Sequence, residues 1–304
     1  MTKVLVTGGA GFIGSNLVDS LLEKGFEVSV LDNLSSGKIS NLPPGIDIIK
    51  GDIRNEEVVK NSLKDVQVLY HLAAQASVAV SMKEPILDAT VNTIGTLNLL
   101  KYAFDSEIDH FIFSSTGGAI YGEPDNIPPN EASSEDPMSI YGVSKLASEK
   151  YIKFYEKIGL KCSILRFANV YGPRQDPHGE AGVISIFLNN IKNNKPLYVF
   201  GDGTSSRDYV FVKDVAKVAI EVLQNPTPEP LNVGSGKETI LNDLIKKIEK
   251  IVGKKFDVIY TDERKGDVKN IYLDCSQLKR KFGWIPSTSL EDGLMAVWKW
   301  INST

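Results

Sequence analysis

A short apolar strand that runs directly into three spaced glycines constrains the fold of this chain more than any other feature. Val4–Val6 precede Gly8, Gly11 and Gly14, and Ser15–Val18 have helical character. In such a strand–turn–helix unit, Gly8 can take the tight turn, Gly11 lets backbone approach phosphate, and Gly14 lets the helix pack on the strand. The free N–H groups of the helix then face the anion. The spacing, GxxGxxG, is one residue wider than the commoner GxGxxG fingerprint.

The following residues alternate β-branched runs with helical stretches, which predicts a parallel sheet covered by helices. The predicted strands are Lys3–Thr7, Glu27–Leu31, Ile48–Lys50, Val68–His71, Phe111–Ser114 and Cys162–Phe167. A ligand crevice is expected at the carboxyl ends of these strands. We therefore predict an α/β fold, a Rossmann-type doubly wound parallel sheet with a smaller mixed α/β substrate-binding lobe.

The alternation becomes irregular after Tyr171, and 304 residues are long for one compact core. We predict a cofactor-binding Rossmann domain over 1–171 and a lobe over 172–304 that mainly binds substrate. The chain is expected to cross back to the first domain around 209–225. The helical patterns of the second lobe cover 182–193, 240–251 and 290–301.

Composition excludes several classes of partner. The formal charge is -4 and there is no basic run, so neither nucleic acid nor an anionic membrane surface is expected as a partner. The sequence has no signal-peptide pattern and no window with the roughly 20 apolar residues of a membrane span, which predicts a cytoplasmic enzyme. Cys162 and Cys275 lie far apart without metal-ligand spacing, so neither a disulfide framework nor a metal site is expected.

A carboxylate eighteen residues beyond the last glycine selects the dinucleotide. Asp32 follows the apolar strand Val28–Leu31, where it can accept both ribose hydroxyls and would repel a 2′-phosphate, so NAD is favoured over NADP. Asp52 could reach the adenine amino group, with Ile53 against the ring, although a helix N-cap is an equally good interpretation of Asp52. Leu72–Ala74 is small enough for close approach of the cofactor, although such residues commonly only pack.

Tyr141 and Lys145 form a second motif. They are four residues apart, so on a helix they share one face. A tyrosine has a pKa of about 10 and is a poor base near neutrality unless an adjacent ammonium favours its phenolate, which Lys145 can do. Thr116 ends the predicted strand that contains Phe111–Phe113, where its hydroxyl could bond to a substrate hydroxyl. A turn or cap beside the two following glycines is the alternative.

Several strings of the sequence carry a family resemblance. TGGAGFIG at 7–14, the Ser-Ser-Thr strand end at 114–116 and YGVSK at 141–145 together resemble the extended short-chain dehydrogenase/reductase family over nearly the whole chain. The chain further resembles the nucleotide-sugar epimerases of that family in three strings, HLAAQ at 71–75, RFANVYGPR at 166–174 and GDGTSSRD at 201–208. The resemblance implies NAD as cofactor and a UDP-sugar as substrate.

The resemblance also implies a role for each matching residue. Thr116, Tyr141 and Lys145 match the catalytic Ser/Thr, Tyr and Lys. The residues that match cofactor contacts are Gly8, Gly11, Phe12, Ile13, Gly14, Asp32, Asn33, Asp52, Ile53, Leu72, Ala73, Ala74, Asn92, Ser114, Tyr141, Lys145 and Phe167. The residues that match substrate contacts are Thr116, Asn169, Val183, Tyr198, Phe200, Arg207, Arg264 and Asp267.

Within the substrate set, the resemblance divides the residues by the part of the nucleotide that they meet. Asn169 matches a residue that touches the diphosphate, and Arg207 and Arg264 match two arginines that clamp it. Guanidinium forks suit phosphate oxygens. The residues that match the uridine pocket are Val183, Tyr198 and Phe200, and the one that matches a contact to the nucleotide ribose is Asp267.

The residues after Thr116 distinguish the possible reactions. Relatives that dehydrate or decarboxylate typically carry a carboxylate there, whereas this chain has Gly117 and Gly118. We expect 4-epimerisation of UDP-glucose and UDP-galactose, with Tyr141 taking the proton of the sugar 4-hydroxyl while hydride passes to NAD. The alternatives are a UDP-GlcNAc/UDP-GalNAc or UDP-uronate 4-epimerase, another nucleotide-sugar dehydratase, decarboxylase or reductase, and, more remotely, a catalytically silent NAD-binding sensor.

The resemblance implies a homodimer that forms through two helices of each subunit, here 86–104 and 141–157. Sugar selectivity in the family depends partly on one pocket position, which aligns near Ile271. Isoleucine is neither the small residue associated with N-acetyl sugars nor the tyrosine that excludes them, so acceptance of UDP-GlcNAc stays open.

The remaining polar residues of interest are expected to be structural. His71 lies at the end of a predicted strand and is expected to pack, while His110 and His178 are expected in loops, without a chemical role. Lys38 lies near Asp32 in the sequence and could approach the cofactor phosphates, but a solvated loop lysine is the preferred interpretation.

Overall fold

The computed structural model describes residues 1–178, 182–263 and 268–303. Its strands in chain order are β1 (Lys3–Thr7), β2 (Glu27–Asp32), β3 (Asp47–Lys50), β4 (Val68–His71), β5 (His110–Thr116), β6 (Cys162–Phe167), β7 (Asn169–Tyr171), β8 (Leu197–Phe200), β9 (Ser206–Arg207), β10 (Tyr209–Phe211), β11 (Leu231–Val233), β12 (Thr239–Ile240), β13 (Val258–Thr261) and β14 (Asn270–Ile271).

Helices connect most of these strands. They are α1 (Phe12–Glu23), α2 (Glu56–Ser62), α3 (Val78–Lys83), α4 (Pro85–Ala89), α5 (Gly95–Asp105), α6 (Gly117–Ile120), α7 (Ile140–Lys157), α8 (Val183–Lys192), α9 (Val212–Gln224), α10 (Leu241–Val252), α11 (Ser276–Phe282) and α12 (Leu290–Ser303). A π-helical turn at Thr90–Ile94 joins α4 to α5, and Ile39–Asn41 form a 3₁₀ turn.

Seven strands form a parallel sheet in the order β11-β6-β5-β4-β1-β2-β3. The chain starts at β1, adds β2 and β3 on one side, and then returns to add β4, β5 and β6 on the other. The order therefore reverses between β1 and β4, which is the switch point where doubly wound sheets bind ligands. The predicted Rossmann-type α/β fold is confirmed.

Helices cover both faces of this sheet because successive side chains of a strand point to opposite faces. Val4 and Val6 belong to a buried cluster that includes residues of α1 and α9. Leu5, between them, belongs to a second cluster with residues of α5 and α7. Strands buried on both faces read as nearly continuous apolar runs, and this explains why their positions could be predicted.

Two of the boundaries that differ from those predicted bear directly on the site. The first helix begins at Phe12 instead of Ser15, since Gly11 forms an extended N-cap and the helix starts immediately after it. The strand predicted to end at Ser114 continues to Thr116. Ser115 and Thr116 therefore pair with Arg166 and Phe167 of β6.

The second half of the chain builds small sheets and also returns to the first. β8 pairs with β13, β7 with β10, and β9 lies between β12 and β14. A third buried cluster gathers residues of α8, α10 and α12. By contrast, α9 packs on α1 and β11 pairs with β6 at the edge of the main sheet. The division into domains at residue 171 stays a prediction.

In the described ranges, no helix is both long enough and apolar enough to cross a membrane. The same ranges bring no three His, Cys, Asp or Glu side chains together in a way that could hold a metal ion. Cys162 and Cys275 are free thiols.

His110 is the first residue of β5 and is not in the loop where it was expected. Its ring is buried, with Nε2 at 3.0 Å from Ser163 Oγ. Burial lowers the pKa of His110 from 6.5 to about 4, and the charge of Lys161 acts in the same direction. The folded protein therefore keeps this ring neutral at pH values where an unfolded chain would protonate it.

This burial predicts a loss of stability in acid. Because the folded pKa of His110 lies below the unfolded value, its contribution is complete above pH 6.5 and is lost as the pH falls to about 4. The free-energy difference is roughly 2–3 kcal/mol. Thermal unfolding of His110→Gln should depend less on pH across this interval than that of the wild type. The exposed His178 offers a control, His178→Gln, that should keep the wild-type slope, and equal slopes for all three proteins would contradict the prediction.

Candidate active site

A cleft of about 1820 Å³ opens where the strands of the main sheet end. Ordinary small-molecule pockets measure roughly 300–1,000 Å³, so this cleft has room for two large ligands. Among the described residues predicted to bind cofactor or substrate, all but Asn92 line it. Arg264 and Asp267 lie outside the described residues.

The glycine turn forms a cradle at the N-terminus of α1. Gly8 has a φ of 71°, in the left-handed region that favours glycine. A Cβ at Gly14 would lie 2.1 Å from the Gly8 carbonyl oxygen, so no side chain fits between helix and strand. Gly11 caps the helix without a side-chain hydrogen bond to the first N–H groups. These N–H groups, together with the helix dipole, can bind an anionic group that enters the cleft.

Asp32 lies at the end of β2, and its carboxylate is buried. Oδ2 accepts a hydrogen bond from Ala10 N at 3.0 Å, and Oδ1 accepts one from Leu34 N at 2.8 Å. A carboxylate oxygen can accept two hydrogen bonds. Each oxygen therefore keeps one acceptor position, which is what a vicinal pair of ribose hydroxyls requires.

Asp52 forms an ion pair with Arg54 at the same rim of the cleft. Both of its oxygens bind the side chain of Arg54, at 2.9 and 2.7 Å, and Asn33 Nδ2 donates to Oδ2 at 2.9 Å. The hydrogen bond from Arg54 is the main reason that the pKa of Asp52 lies far below its usual value. The N-cap interpretation of Asp52 was wrong, since Asn55 caps α2. Arg54 was missed, although its spacing of two residues from Asp52 could have indicated the pair.

Asn92 was predicted to touch the cofactor, but its side chain is buried and does not line the cleft. Its Oδ1 accepts from Gln75 N at 2.9 Å, and its Nδ2 donates to Gln75 O at 2.8 Å and to Asp88 Oδ2 at 3.0 Å. Gln75 does line the cleft. In this structure Asn92 thus fixes the backbone of a cleft residue, a role that the sequence alone did not indicate.

Tyr141 and Lys145 lie on the first turns of α7, which begins at a Ser139 cap. The backbone N–H of Tyr141 donates to Ser81 Oγ at 3.1 Å. Lys145 is 3% exposed, and its Nζ donates to the Ser114 carbonyl at 2.8 Å. The same ammonium lies 4.6 Å from the centre of the Phe113 ring. The predicted catalytic helix is therefore joined directly to the end of β5.

Thr116 ends β5 and precedes α6 without forming a side-chain cap. Thr116 thus occupies the N-cap position of α6, as the capping interpretation expected, but its hydroxyl makes no capping hydrogen bond. A Cβ built at Gly118 would lie 3.9 Å from Thr116 Oγ1 and 3.8 Å from Asn169 Oδ1. Both polar side chains thus face the same small volume beside the predicted catalytic residues.

His71 packs as expected. Its Nδ1 lies 2.9 Å from Thr7 Oγ1, and its Nε2 lies 2.9 Å from Thr96 Oγ1. Burial lowers the pKa of His71 well below its usual value, and the positive charge of Lys145 lowers it further. The ring is therefore a neutral bridge between β1, β4 and α5.

The second half of the chain supplies the opposite wall of the cleft. Tyr198 and Phe200 alternate with buried residues along β8 and are 49% and 40% exposed, and both line the cleft. Arg207 Nη1 donates to the carbonyls of Ser206 and Lys269 at 2.8 and 3.1 Å. Ile271, by contrast, is buried against a cluster of Ile120, Tyr121 and Leu273 and does not line the cleft.

Lys38 is an exposed loop lysine, as expected, and it also forms an ion pair. Its Nζ lies 2.7 Å from Asp176 Oδ2, and both residues line the cleft. This ion pair is the main reason that the pKa of Asp176 lies below its usual value. It connects the loop after β2 to the segment after β7, two parts of the chain too far apart in sequence for the pairing to be predicted.

The profile of the NAD-dependent epimerase/dehydratase family matches residues 4–234. The chain belongs to this family. The predicted resemblance, the prediction of an enzyme and the prediction of NAD as cofactor are confirmed.

Three solved structures of this family are similar to the chain over nearly its whole length. A UDP-glucose 4-epimerase of Thermotoga maritima, solved with UDP-glucose, is 44% identical, with a TM-score of 0.97 and 99% of each chain covered. A UDP-N-acetylglucosamine 4-epimerase of Methanobrevibacter ruminantium M1, in complex with UDP-N-acetylmuramic acid, is 38% identical, with a TM-score of 0.95 and coverage of 99% and 98%. A UDP-glucuronic acid 4-epimerase of Bacillus cereus, in complex with UDP-glucuronic acid and NAD, is 32% identical, with a TM-score of 0.92 and 99% of each chain covered.

The residues of this epimerase-family chain fit NAD. The cradle at α1 excludes side chains where the pyrophosphate must approach, and the acceptor positions of Asp32 suit unphosphorylated ribose hydroxyls. The negative charge of Asp32 would repel the additional phosphate of NADP. The fit thus depends on the chain's own atoms as well as on its family.

The two glycines after Thr116 should respond differently to substitution. A Cβ at Gly117 would lie 2.4 Å from Leu273 Cδ1, which is itself buried, whereas a Cβ at Gly118 would meet only ordinary contacts. Gly117→Ala should therefore destabilise the protein by roughly 1–3 kcal/mol. Gly118→Ala is the matched control and should be neutral or stabilising by up to about 1 kcal/mol, because alanine favours a helix. Thermal unfolding of the two variants measures this, and equal losses would contradict the packing at α6.

Proposed function

We propose that this chain is a UDP-glucose 4-epimerase, which interconverts UDP-glucose and UDP-galactose by transient oxidation at the sugar C4. One arrangement supports this most directly: Thr116, Tyr141 and Lys145 all line the cleft, Lys145 binds the end of β5, and the residues after Thr116 are glycines. Dehydration or decarboxylation would need another acid or base beside the sugar. Removal and return of one hydride and one proton need only these three residues and the cofactor.

In this proposal Tyr141 exchanges the proton of the sugar 4-hydroxyl. A group that transfers a proton must lie within hydrogen-bonding reach of it, and Thr116 lies on the same wall to orient that hydroxyl. The Lys145 ammonium favours the phenolate form of Tyr141 by its charge. The cradle and Asp32 would hold NAD, which would supply a reversible hydride acceptor for the sugar C4.

The second half of the chain holds the nucleotide while the oxidised sugar turns. Tyr198 and Phe200 offer exposed aromatic faces to uracil, and Asn169 and Arg207 offer polar groups to the diphosphate. The proposed roles of Arg264 and Asp267 concern residues outside the described ranges. Inversion at C4 requires that the oxidised sugar present its opposite face to the cofactor, so the sugar must turn within the cleft while the nucleotide to which it is attached stays bound.

A second candidate substrate is a UDP-sugar with a larger substituent, UDP-GlcNAc or UDP-glucuronate. The room at Gly118 favours it, since a Cβ there would make only ordinary contacts with Thr116 and Asn169. The similarity to the relatives from Methanobrevibacter ruminantium and Bacillus cereus supports it as well. A cytoplasmic location stays a prediction.

An assay without added cofactor tests the proposed function. Purified protein is incubated with UDP-galactose, and the nucleotide sugars are then separated. Formation of UDP-glucose supports the proposal, and absence of interconversion even with NAD supplied would contradict it. Parallel incubations with UDP-GlcNAc and UDP-glucuronate test the second candidate.

Tyr141→Phe should abolish turnover and leave the cofactor bound. The substitution removes one hydroxyl, and loss of proton transfer costs roughly 10²- to 10⁴-fold in rate. The cofactor content, measured after release from denatured protein, should match that of the wild type. Normal activity in this variant would remove Tyr141 from the mechanism.

We further propose that two copies of the chain form a homodimer through α4, α5 and α7. Exposed apolar residues lie along both neighbouring helical segments, and large patches of this kind mark interaction surfaces. They are Ile86, Leu87, Ile94 and Phe104 on one segment and Val143, Tyr151, Phe154 and Ile158 on and just after the other. Two helices from each copy would then pack as a four-helix interface.

A charge in the middle of this surface should separate the copies. Phe154 is 57% exposed, so Phe154→Glu should leave the fold intact while burying a carboxylate in the interface. Sedimentation should then report a monomer, whereas the wild type should sediment as a dimer. Ile285→Glu, at another exposed apolar residue, is the control and should stay dimeric. A monomeric wild type would refute the proposal.

A further inference from the structure

A network of buried polar side chains connects the end of β5 to α7, and the proposed chemistry does not use it. Arg166 on β6 and Glu149 on α7 are 1% and 2% exposed. Arg166 Nε donates to Glu149 Oε1 at 3.0 Å, and Arg166 Nη2 donates to Glu149 Oε2 at 2.6 Å. This is a two-pronged guanidinium–carboxylate pair, the geometry that fixes the orientation of both groups.

The network continues from this pair to the strand that ends in Thr116. Ser115 Oγ donates to Glu149 Oε1 at 2.5 Å. Arg166 Nη1 donates to the Tyr121 hydroxyl at 2.9 Å, and that hydroxyl donates to Asn232 Oδ1 at 2.7 Å. Arg166 Nη2 also binds Glu135. Glu149 and Arg166 are thus satisfied by each other, by Ser115 on β5, and by Tyr121 and Glu135 in the segment between α6 and α7.

The spacing along α7 places the network on the same helix face as the predicted catalytic residues. Glu149 is four residues after Lys145, which is four residues after Tyr141, so the three side chains follow one face of the helix. Lys145 binds the carbonyl of Ser114, and Glu149 binds the hydroxyl of Ser115. Consecutive residues of β5 therefore hold consecutive turns of α7, immediately before Thr116.

Stability alone does not explain a buried ion pair of this kind. Removing both charges from water carries a penalty that the pairing only partly offsets, and well-packed apolar residues of similar volume are often at least as stabilising. What the pair provides is a defined distance and direction between two elements. Proton transfer depends on such positions, because a misplacement of about 1 Å can cost ~10²-fold in rate.

We propose that Glu149, clamped by Arg166, is a positioning residue for the reaction at Tyr141. Through Ser115 it sets the register of α7 against the end of β5, and so the placement of Tyr141 relative to Thr116. It does not touch substrate or cofactor. The proposal rests on the proposed epimerase function.

Glu149→Gln tests this in the intact holoenzyme, since the side chain keeps its shape but loses the charge that holds Arg166 and Ser115. We expect kcat to fall by roughly 10- to 100-fold through misplacement of Tyr141. The KM for the UDP-sugar and the content of bound cofactor should stay close to the wild-type values, because the groups that hold both ligands are unchanged. An unchanged kcat would overturn the proposal.

Glu156→Gln is the matched control on the same helix. Glu156 pairs with Lys153, at 3.2 Å between Oε2 and Nζ, and this pair is partly exposed. This variant should keep the wild-type kcat. An equal fall in kcat for both variants would show that any charge removed from α7 has this effect, and would overturn the specific role of Glu149.

A double variant separates positioning from stability. Glu149→Met with Arg166→Met replaces the ion pair by apolar side chains and should unfold at or above the temperature of Glu149→Gln. The proposal predicts that kcat stays low in this stable protein. Recovery of kcat together with stability would show that the network only stabilises the fold, and would overturn the proposal.

The UDP-sugar used in these measurements is whichever of UDP-glucose, UDP-GlcNAc and UDP-glucuronate the wild type epimerises. Failure of UDP-glucose as a substrate would therefore contradict the proposed function and leave the test of Glu149 intact.

Discussion

A buried ammonium that binds the end of a buried strand is the contact on which the rest of this site depends. Lys145 donates to the carbonyl of Ser114 and lies over the ring of Phe113. A charge removed from water is costly unless it is paired, so Lys145 holds helix and strand together only in one arrangement. Tyr141 precedes it by about one turn of α7, and Thr116 follows Ser114 by two residues. The positions of the proposed catalytic groups therefore depend on this contact, together with the bond between Ser115 and Glu149 one turn further along α7.

Helix α1 connects the two walls of the cleft in a similar way. Its N-terminus forms the phosphate cradle, while Asn16 Nδ2 donates to the Pro173 carbonyl at 3.3 Å and Asp19 pairs with Arg174 at 2.7 Å. The segment after β7 is thereby attached to the cofactor side of the cleft. Lys38 and Asp176 add a third connection. Cofactor and substrate walls are thus joined through α1 and do not depend only on the chain between them.

The sequence predicted the sheet well because its strands are buried on both faces. Runs such as 68–71 and 162–167 are mostly apolar and are buried along their whole length, and their predicted bounds agree with the structure. The glycine turn was equally clear. Only glycine fits at position 14, because a Cβ there would collide with the carbonyl oxygen of Gly8. In the second half, strands of two or three residues are too short to show a period of two, and only their pairing partners define them.

The side-chain partnerships of the site were harder to predict than its members. Asp52 was recognised as a rim residue, but its pairing with Arg54 was not, because a carboxylate at a strand end is compatible with several partners. Asn92 was expected to reach the cofactor, whereas its amide bonds to the backbone of Gln75. The match of a residue to a motif identifies its place along the chain. Which atom it binds depends on neighbours that fold in from distant segments.

The edge strand β11 has a consequence for how this protein is made. It pairs with β6, and α9 covers α1, although both elements follow the segments that begin the second lobe. A ribosome that has released only the first 171 residues has produced a sheet that lacks its last strand and a helix, α1, whose apolar face is uncovered. Exposed apolar surface of this kind invites association with other chains. The main sheet therefore becomes complete only after about residue 233 has emerged, so the two halves of the chain must fold together and not in succession.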